Sequence, residues 1–189
     1  MQKRKPDILT ITLIALFACV ISVCSWLSVP VSAVPVTLQT FGVFCALLML
    51  GGKNGFLSIL IYILLGLIGI PVFSGFKAGP SALFGLTGGY IFGFLLTGLV
   101  FILFTKLIND KLIIKVVSLV IGLIICYAFG TFWFIAVYNA GESQIGIKSA
   151  LSLCVLPFII PDLLKLVLAV AVYKALSPVL SKAVKQKNI

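Results

Sequence analysis

Apolar residues in this chain do not alternate with polar ones; they run together in long blocks, and the polar residues gather in the gaps. The first block covers residues 8–27, the second about 36–50 and the third about 56–70. Longer blocks follow at about 87–108 and 112–138, and a last one runs from after residue 149 to about 181. A bilayer core of roughly 30 Å takes roughly 20 apolar residues as helix, so the blocks predict six transmembrane helices, the second and third of them short. A helix satisfies its own backbone in hydrocarbon, which is why blocks rather than amphipathic stripes suit such a chain. The pattern therefore predicts an all-α integral membrane protein with a single transmembrane domain over residues 1–189.

The gaps differ in character. Gly51-Gly52-Lys53-Asn54-Gly55 and Asn109-Asp110-Lys111 read as tight turns, whereas Pro30 and Pro35 break a longer connection on the other side. The segment from Pro71 through Phe73 to Pro80 is too apolar for a free solvent loop and predicts a cap folded back over the bundle. With the amino terminus inside, the inner segments hold Lys3, Arg4, Lys5, Lys53, Lys106, Lys111, Lys115, Lys174, Lys182, Lys185 and Lys187, and the outer ones only Lys77 and Lys148. That asymmetry predicts both termini in the cytoplasm. Trp26 and Tyr138 fall at outer helix ends and Tyr173 at an inner one, as interfacial anchors. Lys3-Arg4-Lys5, the apolar run and Val31-Ser32-Ala33 imitate a secretory leader, but the run exceeds the roughly 7 to 15 residues of a leader core and reads as the first span.

Composition narrows the function. With 62% hydrophobic and 10% charged residues, the chain leaves no room for a separate soluble domain. Its net charge of +10 lies at block ends, where it meets anionic headgroups, rather than in a patch suited to nucleic acid. The five cysteines fall within apolar runs, there is no Cys-x-x-Cys and no histidine, and so neither a metal nor a haem cofactor is expected. No nucleophile has a partnered base, which argues against an enzyme. Gly51-Gly52-Lys53-Asn54 lacks the upstream glycine and the Ser or Thr of a phosphate loop, so the chain carries no ATP chemistry of its own.

Within the spans the full charges at depth are Asp162 and Lys165, in Pro161-Asp162-Leu163-Leu164-Lys165. Three residues apart, they share a helix face, and an unpaired charge at mid-bilayer costs about 2.5 to 3.5 kcal/mol. They must face the bundle interior, as a structural ion pair or as part of a ligand pocket; Pro157 and Pro161, which free backbone carbonyls just before them, favour the pocket. Thr37, Gln39 and Thr40 put neutral donors and acceptors at the outer boundary of the second block, with helix capping as the alternative for Thr37. Gly85, Gly89 and Gly93 recur every four residues, with Gly88 and Tyr90 beside them, which suits close helix packing, ligand contact or both. Ala15 and Cys19 form a similar small-x-x-x-small step on the first helix, for internal packing or for docking another membrane protein.

Four segments in order, Val34-Pro35-Val36-Thr37-Leu38-Gln39-Thr40-Phe41, Gly69-Ile70-Pro71-Val72-Phe73-Ser74-Gly75, Leu86-Thr87-Gly88-Gly89-Tyr90-Ile91-Phe92-Gly93-Phe94 and Pro161-Asp162-Leu163-Leu164-Lys165, carry a resemblance to the BioY family. Members are the biotin-specific S components of energy-coupling factor (ECF) transporters, and the likeness runs from about residue 8 to about 180. It implies an S-component-like bundle of six helices in the bacterial plasma membrane, capturing biotin from outside with high affinity. The implied partners are a membrane scaffold subunit and two cytoplasmic ATPases, the scaffold meeting Ala15 and Cys19, where cysteine stands for the usual second alanine. In the implied site, Asp162 accepts from the ureido N–H groups of biotin, and Lys165 either balances Asp162 or reaches the ligand carboxylate. Tyr90 and Phe73 would flank the rings, Gln39 and Thr40 complete the polar ring, and Gly88 and Gly89 lie in the binding segment. An S component for another vitamin, or a structural membrane subunit in which Asp162 and Lys165 merely pair, are the alternatives.

Overall fold

The computed structural model describes residues 7–30, 34–141 and 144–186, with side chains to residue 178. Lys3, Arg4, Lys5, Lys187 and the Val31-Ser32-Ala33 segment lie outside the described residues, as do the side chains of Lys182 and Lys185. Helices dominate: α1 (Ile8–Trp26), α2 (Gln39–Leu67), a single turn α3 (Pro80–Leu83), α4 (Gly88–Leu107), α5 (Leu112–Asn139), α6 (Ile147–Cys154) and α7 (Leu156–Gln186). Among the described residues five helical stretches are long and apolar enough to cross a membrane: α1, α2, α4, α5 and the run Ile147–Pro178 that joins α6 to α7.

The second of these is bent back on itself. Gly51 has φ 77 and ψ 173, a backbone state open to glycine but not to a residue with a side chain. Gln39 Nε2 then lies 2.6 Å from the Tyr62 hydroxyl. Along a straight helix residues so separated would stand about 35 Å apart, so α2 is a hairpin of two antiparallel arms, residues 39–50 and 52–67. The reversal needs one residue rather than the five-residue turn expected from the sequence. Gly55 allows it, since a β-carbon there would sit 2.7 Å from the Ala46 carbonyl oxygen.

Around this hairpin the bundle closes. α1 packs on one side of α2, α4 and α7 on others, and α4 pairs with α5 along a seam of small residues. There Thr97 Oγ1 donates to the Gly122 carbonyl at 3.0 Å, and a β-carbon on Gly93 would meet Cys126 Sγ at 2.6 Å. The core centres on Phe44, Leu47, Tyr62, Phe101 and Leu119, all fully buried.

Two elements depart from expectation. A short antiparallel ribbon, β1 (Ser28–Val29) with β2 (Val36–Thr37), replaces the start expected for the second helix. Pro35 biases Val34 toward extended backbone, and β-branched Val36 and Thr37 continue it. The last expected helix is broken at Val155 into α6 and α7, because Pro157 has no N–H for the preceding turn.

The segment between α2 and α3 does fold back. Ser25 Oγ donates to the Val72 carbonyl, Trp26 Nε1 to the Pro71 carbonyl at 2.8 Å, and the Trp26 and Phe76 rings stack at 5.2 Å. Val72 and Phe73 are buried beneath it. Among the described lysines, Lys53, Lys106, Lys111, Lys115 and Lys174 stand toward the end bearing the Gly51 reversal, while Lys77 and Lys148 stand at the other. Lys115 adds a buried charge that the sequence reading left outside the bundle. It pairs with Asp110 Oδ2 at 3.0 Å and lies 5.3 Å from the Tyr173 ring centroid.

Candidate functional site

At the end away from the Gly51 reversal the helices diverge around a cavity of about 600 Å³. Its walls come from the start of α2, the cap segment, the start of α4, the middle of α5 and α7. Pro161 sits within α7 one residue before Asp162, whose side chain turns into this space.

Asp162 is 1% exposed and Lys165 5%, so both charges have left water. They are paired at 2.6 Å between Lys165 Nζ and Asp162 Oδ1. Oδ1 also accepts from Thr40 Oγ1 at 2.8 Å, and Oδ2 accepts from the Tyr127 hydroxyl at 2.5 Å. A carboxylate offers about four acceptor positions, so three are filled and one, on Oδ2, remains for a donor in the cavity. Lys165 has three N–H bonds and spends one on Asp162. Burying such a pair is costly, and charge-assisted hydrogen bonds from Thr40 and Tyr127 offset part of that cost.

The other expected residues separate into two groups. Gln39, Thr40, Phe73 and Tyr90 join Asp162 and Lys165 in the cavity wall. Gln39 is held by its bond to Tyr62, and Phe73 meets the same Tyr62 ring edge-on at 5.5 Å. Tyr90 has its hydroxyl 3.1 Å from Thr131 Oγ1 and lies against Gly130. Thr37 also lines the cavity, while its Oγ1 accepts from the Gln39 N–H at 3.2 Å, the local turn-closing role. Gly88 and Gly89 stand outside the cavity wall. A β-carbon on Gly88 would run into the Leu83 carbonyl and one on Gly89 into Trp133, so both are there for close approach of backbone and ring. Ala15 and Cys19 are exposed on α1, on a flank beside the buried Ile14, Ala18 and Ile21 stripe, so internal packing does not account for them.

Sequence reasoning missed Tyr127, Thr131 and Lys77. Tyr127 and Thr131 stand four residues apart in an otherwise apolar stretch of α5, a pair of hydroxyls on one face that was a readable signal. Lys77 entered only as an outer charge, and nothing local marks it as a wall residue. Cys126 and Cys154 line the cavity beside Tyr90, so two of the thiols border the cavity and are not simply core. Among the described residues no three His, Cys, Asp or Glu side chains converge as metal ligands would.

Known proteins resemble this chain in sequence and fold. The sequence model of the BioY family matches residues 1–182. The chain belongs to the BioY family. A probable biotin transporter BioY of Pyrococcus horikoshii is 40% identical over 166 residues, 88% of this chain and 94% of that protein. The biotin transporter BioY of Thermotoga maritima is 42% identical over 154 residues, 82% of this chain and 87% of that one. A crystal structure of the S-component for biotin from an ECF-type ABC transporter superposes with a TM-score of 0.81 at 26% identity, covering 94% of this chain and 95% of its own. The BioY fold is thus shared over nearly the whole chain.

Proposed function

We propose that this chain is the biotin-capturing S component of an ECF-type importer in the bacterial plasma membrane. The observation that carries the reading is the buried Asp162–Lys165 pair, held by Thr40 and Tyr127 in the wall of a cavity large enough for a vitamin, in a chain of the BioY family. In this reading the two arms of α2 are separate short spans, giving six in all with both termini in the cytoplasm. The end rich in lysine faces the cytosol and the cavity opens outward, which the charge asymmetry supports. The remaining acceptor position on Asp162 takes a ureido N–H of biotin, and Gln39 and Thr40 complete the polar ring. Tyr90 and Phe73 flank the apolar rings, while Gly88 and Gly89 shape the wall without touching the ligand. A ligand lacking the ureido group would leave those buried polar atoms unpaired, which is the basis for discrimination.

Uptake then requires partners: a transmembrane scaffold subunit and two cytoplasmic ATPases, with the exposed Ala15 and Cys19 face of α1 meeting the scaffold. The test is thermal unfolding of the purified full chain in detergent with biotin, thiamin or riboflavin. Biotin at a hundred times its dissociation constant should add about 2.7 kcal/mol and raise the midpoint, and the other two should not. A rise with thiamin or riboflavin instead would make this an S component for another vitamin. No rise with any of the three would leave a membrane subunit without a vitamin ligand.

A further inference from the structure

The cavity wall carries three charged side chains, Lys77, Asp162 and Lys165, and so a net charge of +1. Asp162 and Lys165 neutralise each other at 2.6 Å, with Thr40 and Tyr127 filling further acceptor positions on the carboxylate. Lys77 is different. Among the described residues it has no ion-pair partner, and it is exposed while lining the cavity, which places it at the mouth rather than the floor.

Its position is also built. The Phe73 N–H donates to the Lys77 carbonyl at 3.0 Å, closing a tight turn in which Gly75 and Phe76 both take positive φ. One end of that turn is pinned by buried Phe73, and its crest by the stack of Phe76 on Trp26. The backbone of Lys77 is thereby fixed beside the opening, and only its side chain is left to move. The 20-residue α4 also begins at the cavity wall, next to Thr87, so its positive end adds to the same field.

We infer that Lys77 is the specificity-determining cation of the cavity: it takes the ligand's single carboxylate at the mouth, while Lys165 serves Asp162 at the floor. The ligand class this selects is a monoanion with a neutral hydrogen-bonding head and a carboxylate on a flexible arm. The inference rests on the biotin reading and settles which end of the ligand goes in first: the ureido head enters toward Asp162 and the carboxylate stays outward. An exposed ammonium contributes modestly and is screened by salt, so the preference it generates is small and depends on ionic strength.

Equilibrium binding of biotin and of biotin methyl ester to the full chain in detergent, at low salt, measures that preference as a ratio of dissociation constants. The wild type should favour biotin by about two- to fivefold. Lys77→Met should bring the ratio close to one, Lys77→Arg should restore it, and added salt should compress it in the wild type. Lys148→Met, at the same end of the bundle but outside the cavity wall, controls for charge acting at a distance. A wild-type ratio retained in Lys77→Met overturns the inference, as does an equal fall in Lys148→Met. A ratio that collapses only in Lys165→Met overturns it too and moves the carboxylate to the floor. Binding of neither compound by the wild type overturns the biotin reading as well, which no result on the ratio can do.

Discussion

Replacing Lys165 by methionine preserves most of the side-chain volume and removes one charge from a pair of which each member is at most 5% exposed. Asp162 then keeps Thr40 and Tyr127 but loses its counter-ion at 2.6 Å. Breaking a buried pair from one side costs roughly 3 to 5 kcal/mol, because the remaining charge is stranded. Thr40 and Tyr127 still donate to the remaining carboxylate, so the lower figure, about 3 kcal/mol, applies. For a chain of this length each kcal/mol corresponds to about 2 to 4 °C, and the unfolding midpoint should fall by roughly 6 to 12 °C. The double variant Asp162→Asn/Lys165→Met strands no charge: the asparagine carbonyl takes the place of one carboxylate oxygen and still accepts from one hydroxyl, its NH2 takes the place of the other and donates to the second hydroxyl oxygen, and it should recover at least about 2 kcal/mol of the loss. Thermal unfolding followed by tryptophan fluorescence in detergent measures both. Biotin binding should fall at least about tenfold in the double variant, where the ureido group loses its charged acceptor, because a hydrogen bond to a charged group contributes about 1.5 to 3 kcal/mol. A double variant no more stable than Lys165→Met would refute the reasoning, since the two charges would then not be coupled in the folded chain.

Other consequences are as direct. Gly55→Ala places a β-carbon 2.7 Å from the Ala46 carbonyl, so the α2 hairpin must open and about 1 to 3 kcal/mol should be lost, read as a lower unfolding midpoint. Leucines at Ala15 and Cys19 enlarge only the exposed face of α1; the isolated variant should bind biotin as the wild type does, but should fail to co-purify with a scaffold subunit and its ATPases when co-expressed. Intact co-purification would remove that face from the interface.

Much of this architecture is legible without coordinates, and the limits have identifiable causes. Block length and lysine placement locate the helices because lipid imposes one rule on every residue at once. The need to hide a charge in hydrocarbon singles out Asp162 and Lys165 for the same reason. What stays hidden depends on tertiary distance. Tyr127 belongs to the site because α5 brings it within 2.5 Å of a carboxylate on α7; its spacing from Thr131 marks a polar face on α5, but not the partner which that face meets. Gly88 and Gly89 share a segment with Tyr90, yet neighbours along a helix point to different faces, and only Tyr90 turns to the cavity. The break at Val155 was foreshadowed by Pro157, whereas Pro161 stays within α7, so prolines alone do not tell where a helix divides.

The fastening of residues 71–76 to the tip of α1 has one more implication. Two hydrogen bonds and a ring stack, all anchored on Ser25 and Trp26, join a piece of the cavity's roof to the helix that shows its opposite flank to the lipid. Such a joint has little slack. A neighbour leaning on α1 would therefore pull on the roof directly, with no residue of the floor touched.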